Sequence, residues 1–288
     1  EFNLEFSSIK ESLIAPYLIK NSIEEGEVKK VYARLQEIVR AKHILFQFPP
    51  NPKKEDSIAV LQLALKVKTE LENGADFSAL ASNYSDDPSA KVNKGDLGYF
   101  TGLQMVQQFE EAAYTLPVGS ISDPILTDFG YHIIQVSGRQ ANPGEVQVSH
   151  ILVRFDLENP SQEENARRKI SDIYAEIQKE STIWEEIVQT YSEDPASKSA
   201  GGLLPWFGVG TMIPEFEVAG FSLTEIGEVS PPIKTAYGYH ILRLEGKRGL
   251  EPYEEVEQSI RSKILRNSKT GMIQSQVVAI QKSRYGFK

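Results

Sequence analysis

Cysteine is absent from all 288 residues, which removes disulfides, thiolate nucleophiles and Cys-ligated zinc and leaves a reducing cytosol and an oxidising envelope equally open. Positive charge is in deficit: 31 Lys and Arg against 40 Asp and Glu give a formal charge of -9. That balance argues against a nucleic-acid partner, which is normally met by a basic stripe. No run approaches the ~18 apolar residues of a membrane-spanning helix, so no integral membrane segment is expected in this chain. The chain opens on Glu1 with neither a Met nor a charged-then-apolar leader, and is read as a mature or trimmed piece without its targeting segment. Histidine is scarce too, at four residues, and the placing of those four is informative.

All four fall at matched positions of an internal duplication. His43-Ile44-Leu45 returns as His150-Ile151-Leu152, Tyr84-Ser85-Asp86-Asp87-Pro88 as Tyr191-Ser192-Glu193-Asp194-Pro195, and Phe129-Gly130-Tyr131-His132-Ile133 as Tyr237-Gly238-Tyr239-His240-Ile241. The offset is 107 residues at the first histidine and 108 at the last. A period this long marks a duplicated globular domain, because solenoid repeats are far shorter, on the order of 20–50 residues.

Within each copy the pattern reads strand, long helix, short helix, glycine-rich turn, short helix, strand. In the first these are Ala41 to Phe48, Ser57 to Leu71, Phe77 to Asn83, the turn at Gly95 to Phe100, Gln107 to Ala113, and Tyr131 to Val136. A further short strand is expected from Ile121-Ser122. Residues 5–40 carry helical apolar spacing (Ile9, Leu13, Tyr17, then Val28, Val31, Tyr32, Leu35, Ile38, Val39), and so does the tail from Pro252 to Ser268, with Met272 to Ile280 as an extension. The predicted fold class is α+β: two tandem domains, 38–140 and 145–247, each a small, mainly antiparallel sheet flanked by helices. Helical segments at 1–37 and 248–288 are expected to dock on them.

Five separated blocks, Arg40 to Leu45, Gly95 to Phe100, Met105 to Ala112, Leu116 to Gly119 and Thr127 to Ile134, closely resemble the parvulin family of peptidyl-prolyl cis-trans isomerases. The resemblance covers roughly residues 38–139 and again 145–247. The order of helical segment, two units and closing helix also resembles bacterial envelope foldases of the SurA type. Carried over position by position, it implies paired histidines at His43 and His132 with Asp87 beside them, and at His150 and His240 with Asp194. It implies substrate-binding walls at Leu97, Met105, Phe109 and Phe129, and at Leu204, Met212, Phe216 and Tyr237. It calls for no cofactor and no metal. It implies partners that are proline-containing unfolded polypeptides, outer-membrane proteins among them, in the periplasm or cell envelope of a Gram-negative bacterium. The alternative it leaves open is a periplasmic chaperone with one or both units catalytically inactive.

Blander readings of single residues stand beside these. A histidine opening a strand is often a hydrogen-bonded core residue, Asp87-Pro88 and Asp194-Pro195 serve as turn formers, and Phe109 and Phe216 sit on helices where core phenylalanines are common. The units also differ. The first keeps Gly95-Asp96-Leu97-Gly98, whereas the second reads Gly202-Leu203-Leu204-Pro205, and Pro205 fixes φ where Gly98 is free. The first unit is therefore expected to be the more active. Neither carries an arginine cluster fit to select phosphorylated residues, so an unmodified substrate with an apolar or aromatic residue beside the proline is expected.

Overall fold

Val39, Ala41, Ile44 and Phe46 are buried along one extended stretch that alternates between two apolar faces, as befits a central strand covered on both sides. The structure, a computed structural model, describes residues 25–179 and 181–266. The chain forms two compact units: the first ends at Ala141 and takes up the chain again from Glu251, and the second runs Asn142–Leu250.

In the first unit helix α1 (Glu25–Leu35) leads into β1 (Glu37–Gln47), followed by α2 (Lys54–Glu72), α3 (Phe77–Tyr84), the single turn α4 (Ala90–Asn93), β2 (Asp96–Phe100), α5 (Gln107–Thr115), β3 (Ile125–Thr127) and β4 (Gly130–Ala141). The sheet has the order β2-β1-β4-β3 and is antiparallel throughout. Its long central pair β1/β4 places His43 opposite Ile134 and Leu45 opposite His132. On one face Ile44, Phe46 and Ile133 pack against Ala64, Val67 and Leu71 of α2 and Phe77, Leu80 and Ala81 of α3. On the other, Val39, Ala41, Ile134 and Val136 pack against Phe109, Ala112 and Ala113 of α5. Each fully buried Ile or Phe contributes roughly 1.5–3 kcal/mol, so the two helical layers fix which face of the sheet each histidine takes. Helix α3 starts where the Asp76 carboxylate accepts the Ala79 N–H at 2.7 Å, an N-cap that satisfies an otherwise orphaned donor.

The second unit repeats this plan with β5 (Glu145–Val153), α6 (Pro160–Ile177), α7 (Trp184–Tyr191), β6 (Phe207–Gly208), α8 (Pro214–Ser222), β7 (Ile233–Thr235) and β8 (Gly238–Arg248), in the order β6-β5-β8-β7. Helix α9 (Tyr253–Arg266) belongs to the first unit and lies on α1, burying Val28, Val31 and Ile260 between them. No helix among the described residues is long and apolar enough to cross a membrane.

The α+β class and the antiparallel sheets are as expected from the sequence, while several boundaries move. Ile38 and Val39, expected at the end of a helix, belong to β1: both are β-branched and both are buried in the sheet, where their stiff side chains fit best. The turn expected at Gly95 to Phe100 contains a full edge strand, β2. Its counterpart shrinks to Phe207–Gly208, with Leu203 left as a single bridge to Ser149. The strand expected from Ile121-Ser122 is a single bridge to Gln135, with β3 beginning at Ile125. The expected helical residues Ile9, Leu13 and Tyr17, and Met272 to Ile280, lie outside the described residues.

Gly130, which opens β4 with φ +138°, is so close to β1 that an added Cβ would lie 2.0 Å from the Phe46 carbonyl oxygen. Gly130→Ala is expected to destabilise the first unit by about 2–4 kcal/mol. Both tryptophans, Trp184 and Trp206, lie in the second unit. Far-UV circular dichroism should therefore show an earlier melt while the tryptophan-fluorescence transition stays in place.

Candidate active site

His43 on β1 and His132 on β4 point from diagonal positions of the central strand pair toward α5. Their rings stack, with centroids 5.5 Å apart and planes 18° from parallel, and their Nδ1 atoms lie 3.3 Å apart. At the far end of His43, Nε2 lies 2.7 Å from Asp87 Oδ2. At the far end of His132, Nε2 lies 2.8 Å from Thr127 Oγ1. Both histidines are buried, at 6% and 5% exposure.

These contacts dictate where every proton sits. Burial works against ionisation of Asp87, but the N–H and hydroxyl of Ser89 and the imidazole of His43 outweigh it and hold the carboxyl below its ordinary range. An ionised carboxylate only accepts, so His43 donates from Nε2 and its Nδ1 carries the lone pair. His132 then donates from Nδ1, which leaves its Nε2 to accept the Thr127 hydroxyl, while Thr127 Oγ1 itself accepts the Phe129 N–H at 3.1 Å. The result is a one-way chain, Thr127 to His132 to His43 to Asp87, with two neutral rings in opposite tautomers. Burial supplies the neutrality: it pushes His43 below the usual imidazole range against the pull of Asp87, and with the added influence of His43 it pushes His132 down to about 4.

Phe109 closes the chain from above. Its ring is 3% exposed and meets His43 and His132 edge-on, at centroid distances of 5.8 and 5.6 Å. Leu97 and Met105 are half-buried and pack on the same cluster as Phe109. An apolar wall thus stands directly over two neutral imidazoles, with a carboxylate at one end. Phe129 is a different case. It sits on the exposed turn between β3 and β4 at 56% exposure, outside the buried clusters, as does Tyr237 in the second unit at 63%.

The second unit reproduces the chain. His150 and His240 stack at 5.6 Å with Nδ1 atoms 3.3 Å apart, His150 Nε2 lies 3.0 Å from Asp194 Oδ2, and Thr235 Oγ1 lies 2.9 Å from His240 Nε2. Phe216 meets the two rings edge-on at 5.6 and 5.4 Å, with Leu204 and Met212 beside it. Burial pushes His150 down, and His240 to about 4. Asp194 is held at about 2 although burial opposes its ionisation, because the Ser197 hydroxyl and His150 both bond to it. The edge strand is shorter here, and Leu204 still packs in the cluster around Phe216.

Four residues essential to this geometry escaped the sequence reading. Thr127 and Thr235 each stand five residues before the second histidine of their copy, and that repeated spacing was the available signal. Ser85 and Ser192 hold the aspartate loops: Ser85 Oγ accepts the N–H groups of Leu45 and Asp87, and Ser192 Oγ those of Leu152 and Asp194. Their signal was the repeated Tyr-Ser-x-Asp-Pro.

A family profile described as the PPIC-type PPIASE domain matches residues 27–140, and a second of the same description matches residues 150–246. The chain is similar to Chaperone SurA of Pseudomonas savastanoi pv. phaseolicola, 30% identical over 255 residues that cover 87% of this chain and 58% of the relative. It is also similar to Chaperone SurA of Hahella chejuensis, 32% identical over 232 residues that cover 79% and 52% respectively. The chain therefore spans somewhat more than half the length of the curated relatives it matches. Among solved structures it is similar to NmPin, the parvuline of Nitrosopumilus maritimus, at 37% identity over 35% of this chain and 97% of that one, with a TM-score of 0.29. The two matched stretches take in most of the sequence and contain both histidine chains, and the protein belongs to the PPIC-type peptidyl-prolyl isomerase family, the parvulins, with two such domains in tandem.

Proposed function

We propose that both units isomerise X-Pro bonds of unfolded or partly folded polypeptides without a covalent intermediate. The observation that carries this reading is the unbroken Thr-His-His-Asp chain beneath a phenylalanine wall, present twice. Rotation about an amide C–N bond is opposed by about 18–20 kcal/mol because resonance holds it planar and polarised, whereas the cis and trans forms of an X-Pro bond differ by only about 0.5–1 kcal/mol. A site that grips the pyrrolidine and disfavours the polarised planar amide lowers the barrier. Leu97, Met105 and Phe109, with Leu204, Met212 and Phe216 in the second unit, are the walls for the ring, and the methionine is flexible enough to accept both isomers. Asp87 and Asp194 place a negative charge beside the wall. There it opposes the build-up of charge on the substrate carbonyl oxygen and so favours the twisted amide. All protons of the histidine chain are committed to partners, so the imidazoles position the carboxylate and the floor of the site and transfer no proton. Phe129 and Tyr237, exposed on the neighbouring turn, are assigned to the residues flanking the proline.

The relatives' name, chaperone, supports clients that are unfolded proteins, and the Gram-negative relatives support a periplasmic setting with outer-membrane proteins among the clients. The same name favours a second reading, in which the units hold extended segments and turnover is incidental. A protease-coupled assay on a proline tetrapeptide separates the two. Phe109→Ala combined with Phe216→Ala in the full chain is expected to lower kcat/KM by about 100-fold or more, each single change leaving the other unit working. A wild-type chain that does not accelerate the reaction but still suppresses client aggregation would leave only the holding role.

Asp87→Asn in a chain already carrying Phe216→Ala is expected to lower kcat/KM by about tenfold or more, and full turnover at unchanged fold excludes the electrostatic role. The pH dependence follows from the lowered imidazoles. The folded state takes up fewer protons than the unfolded one between the ordinary imidazole value of about 6.5 and about 4. The stability contributed by the histidines is thus complete above pH ~6.5 and declines as pH falls through this window. Urea titrations between pH 8 and 4 should show a plateau and then that decline, and turnover should hold to about pH 5 and fall toward pH 4.

A further inference from the structure

The loop that carries Met105 into the first unit's apolar wall differs from its counterpart by a reciprocal exchange. Three and two residues before the methionine the first unit reads Gly102-Leu103, and the second reads Val209-Gly210. Gly210 is left-handed, with φ +76°, as only glycine adopts readily, yet Leu103 takes the same conformation at φ +69°. What holds a leucine there is α1 with α9: the Leu103 side chain packs on the cluster of Val28, Val31 and Ile260. Gly102 is buried, and a Cβ on it would lie 3.1 Å from the Cβ of Arg34, so the glycine lets α1 approach the loop backbone. Arg34, 8% exposed, pairs with Glu110, 3% exposed, at 3.1 Å. The second oxygen of Glu110 accepts the Leu103 N–H at 2.7 Å. Glu110 immediately follows Phe109 on α5. In the second unit Glu217, at the matching position, likewise accepts the N–H of Gly210, together with those of Thr211 and Met212, so what the first unit adds is the Arg34 partner and the Leu103 anchor.

The geometry points to Leu103 and the Arg34–Glu110 pair as positioning residues for the first unit: the helix pair α1/α9 holds the 101–106 loop, and through it Met105, in the form that completes the proline wall. This rests on the isomerase reading for its functional consequence, and it makes the first unit's affinity for proline dependent on α1 and α9, whereas at the matching place in the second unit Gly210 takes the left-handed form with no side chain to anchor. The leucine is strained where it stands, so loss of its anchor frees the loop rather than merely loosening its packing.

The chain has three methionines, so methyl-labelled methionine in the full-length protein gives one NMR reporter in each wall, Met105 and Met212, the third being Met272. Leu103→Gly removes the anchor with the second unit's own residue, which suits the backbone, and Arg34→Gln removes the charge while keeping an unbranched stem and adding no methionine. The probe is the tetrapeptide Ala-Ala-Pro-Phe, titrated into wild type and each variant. Both variants are expected to shift the Met105 methyl signal in the free protein and to weaken peptide binding reported by Met105 by about 5–100-fold, with the Met212 signal and its binding curve unchanged. Assayed in a chain carrying Phe216→Ala, KM is expected to rise by more than kcat falls. A Met105 signal and affinity within about twofold of wild type would overturn the proposal, whether or not hydrogen exchange in α1 and α9 speeds up. Equal disturbance of Met105 and Met212 would overturn it too, as it signals general destabilisation. A wild-type chain in which the peptide moves neither methionine would defeat the isomerase reading, while the shift of Met105 in the free variants would still decide the positioning role.

Discussion

Two neutral imidazoles facing each other through a single shared proton form the constraint around which each unit is built. A buried charge is expensive unless paired, and two adjacent imidazoliums would repel in the same dry space. Burial therefore keeps the rings neutral, and neutrality in turn requires opposite tautomers, since one Nδ1 must donate to the other. The direction of the chain is then set at its ends by a carboxylate that only accepts and a threonine hydroxyl left with its proton to give. A change at either end propagates through both rings, because each ring nitrogen that faces the other ring has only that partner.

The fold supplies this arrangement with few means. The diagonal register of the two long central strands sets the ring-to-ring distance. The short third strand carries the threonine to the same face. The loop after α3 in the first unit, and after α7 in the second, brings the aspartate, tied back to the first strand through a serine hydroxyl. One helix lays its phenylalanine across the result. The rings, the threonine and the phenylalanine are buried, while Leu97, Met105 and the carboxylate keep part of their surface open. The same layout is reached in both units although one carries Gly98 and the other Pro205, which shows that the edge strand is not what determines it.

Much of this was legible in the sequence because duplication filters noise: a residue type that returns at the same place in a second copy is constrained by something shared. The four histidines and the two aspartates stand in repeated motifs, with Ser85 and Ser192 inside one of them, whereas Phe109 and Phe216 enter only through the resemblance to the parvulin family. Thr127 and Thr235 were passed over because a threonine before a turn has a sufficient local explanation, and only coordinates show its hydroxyl under an imidazole. Phe129 and Tyr237 were grouped with the wall by position, yet they are exposed, since the tight β3–β4 and β7–β8 turns direct them outward. Ile38 and Val39 extend a helical spacing by chance, and sheet burial overrides it. The contrast between Gly102-Leu103 and Val209-Gly210 was visible as letters, but its meaning depends on α1 lying against one loop.

Nitrogen-15 NMR of the imidazoles in the full-length chain, which has only four histidines to assign, measures the central constraint without reference to any substrate. At pH 7 the structure requires His43 and His150 to be neutral with the proton on Nε2, and His132 and His240 to be neutral with the proton on Nδ1. A charged ring at that pH, or the same tautomer on both members of a pair, would contradict the account.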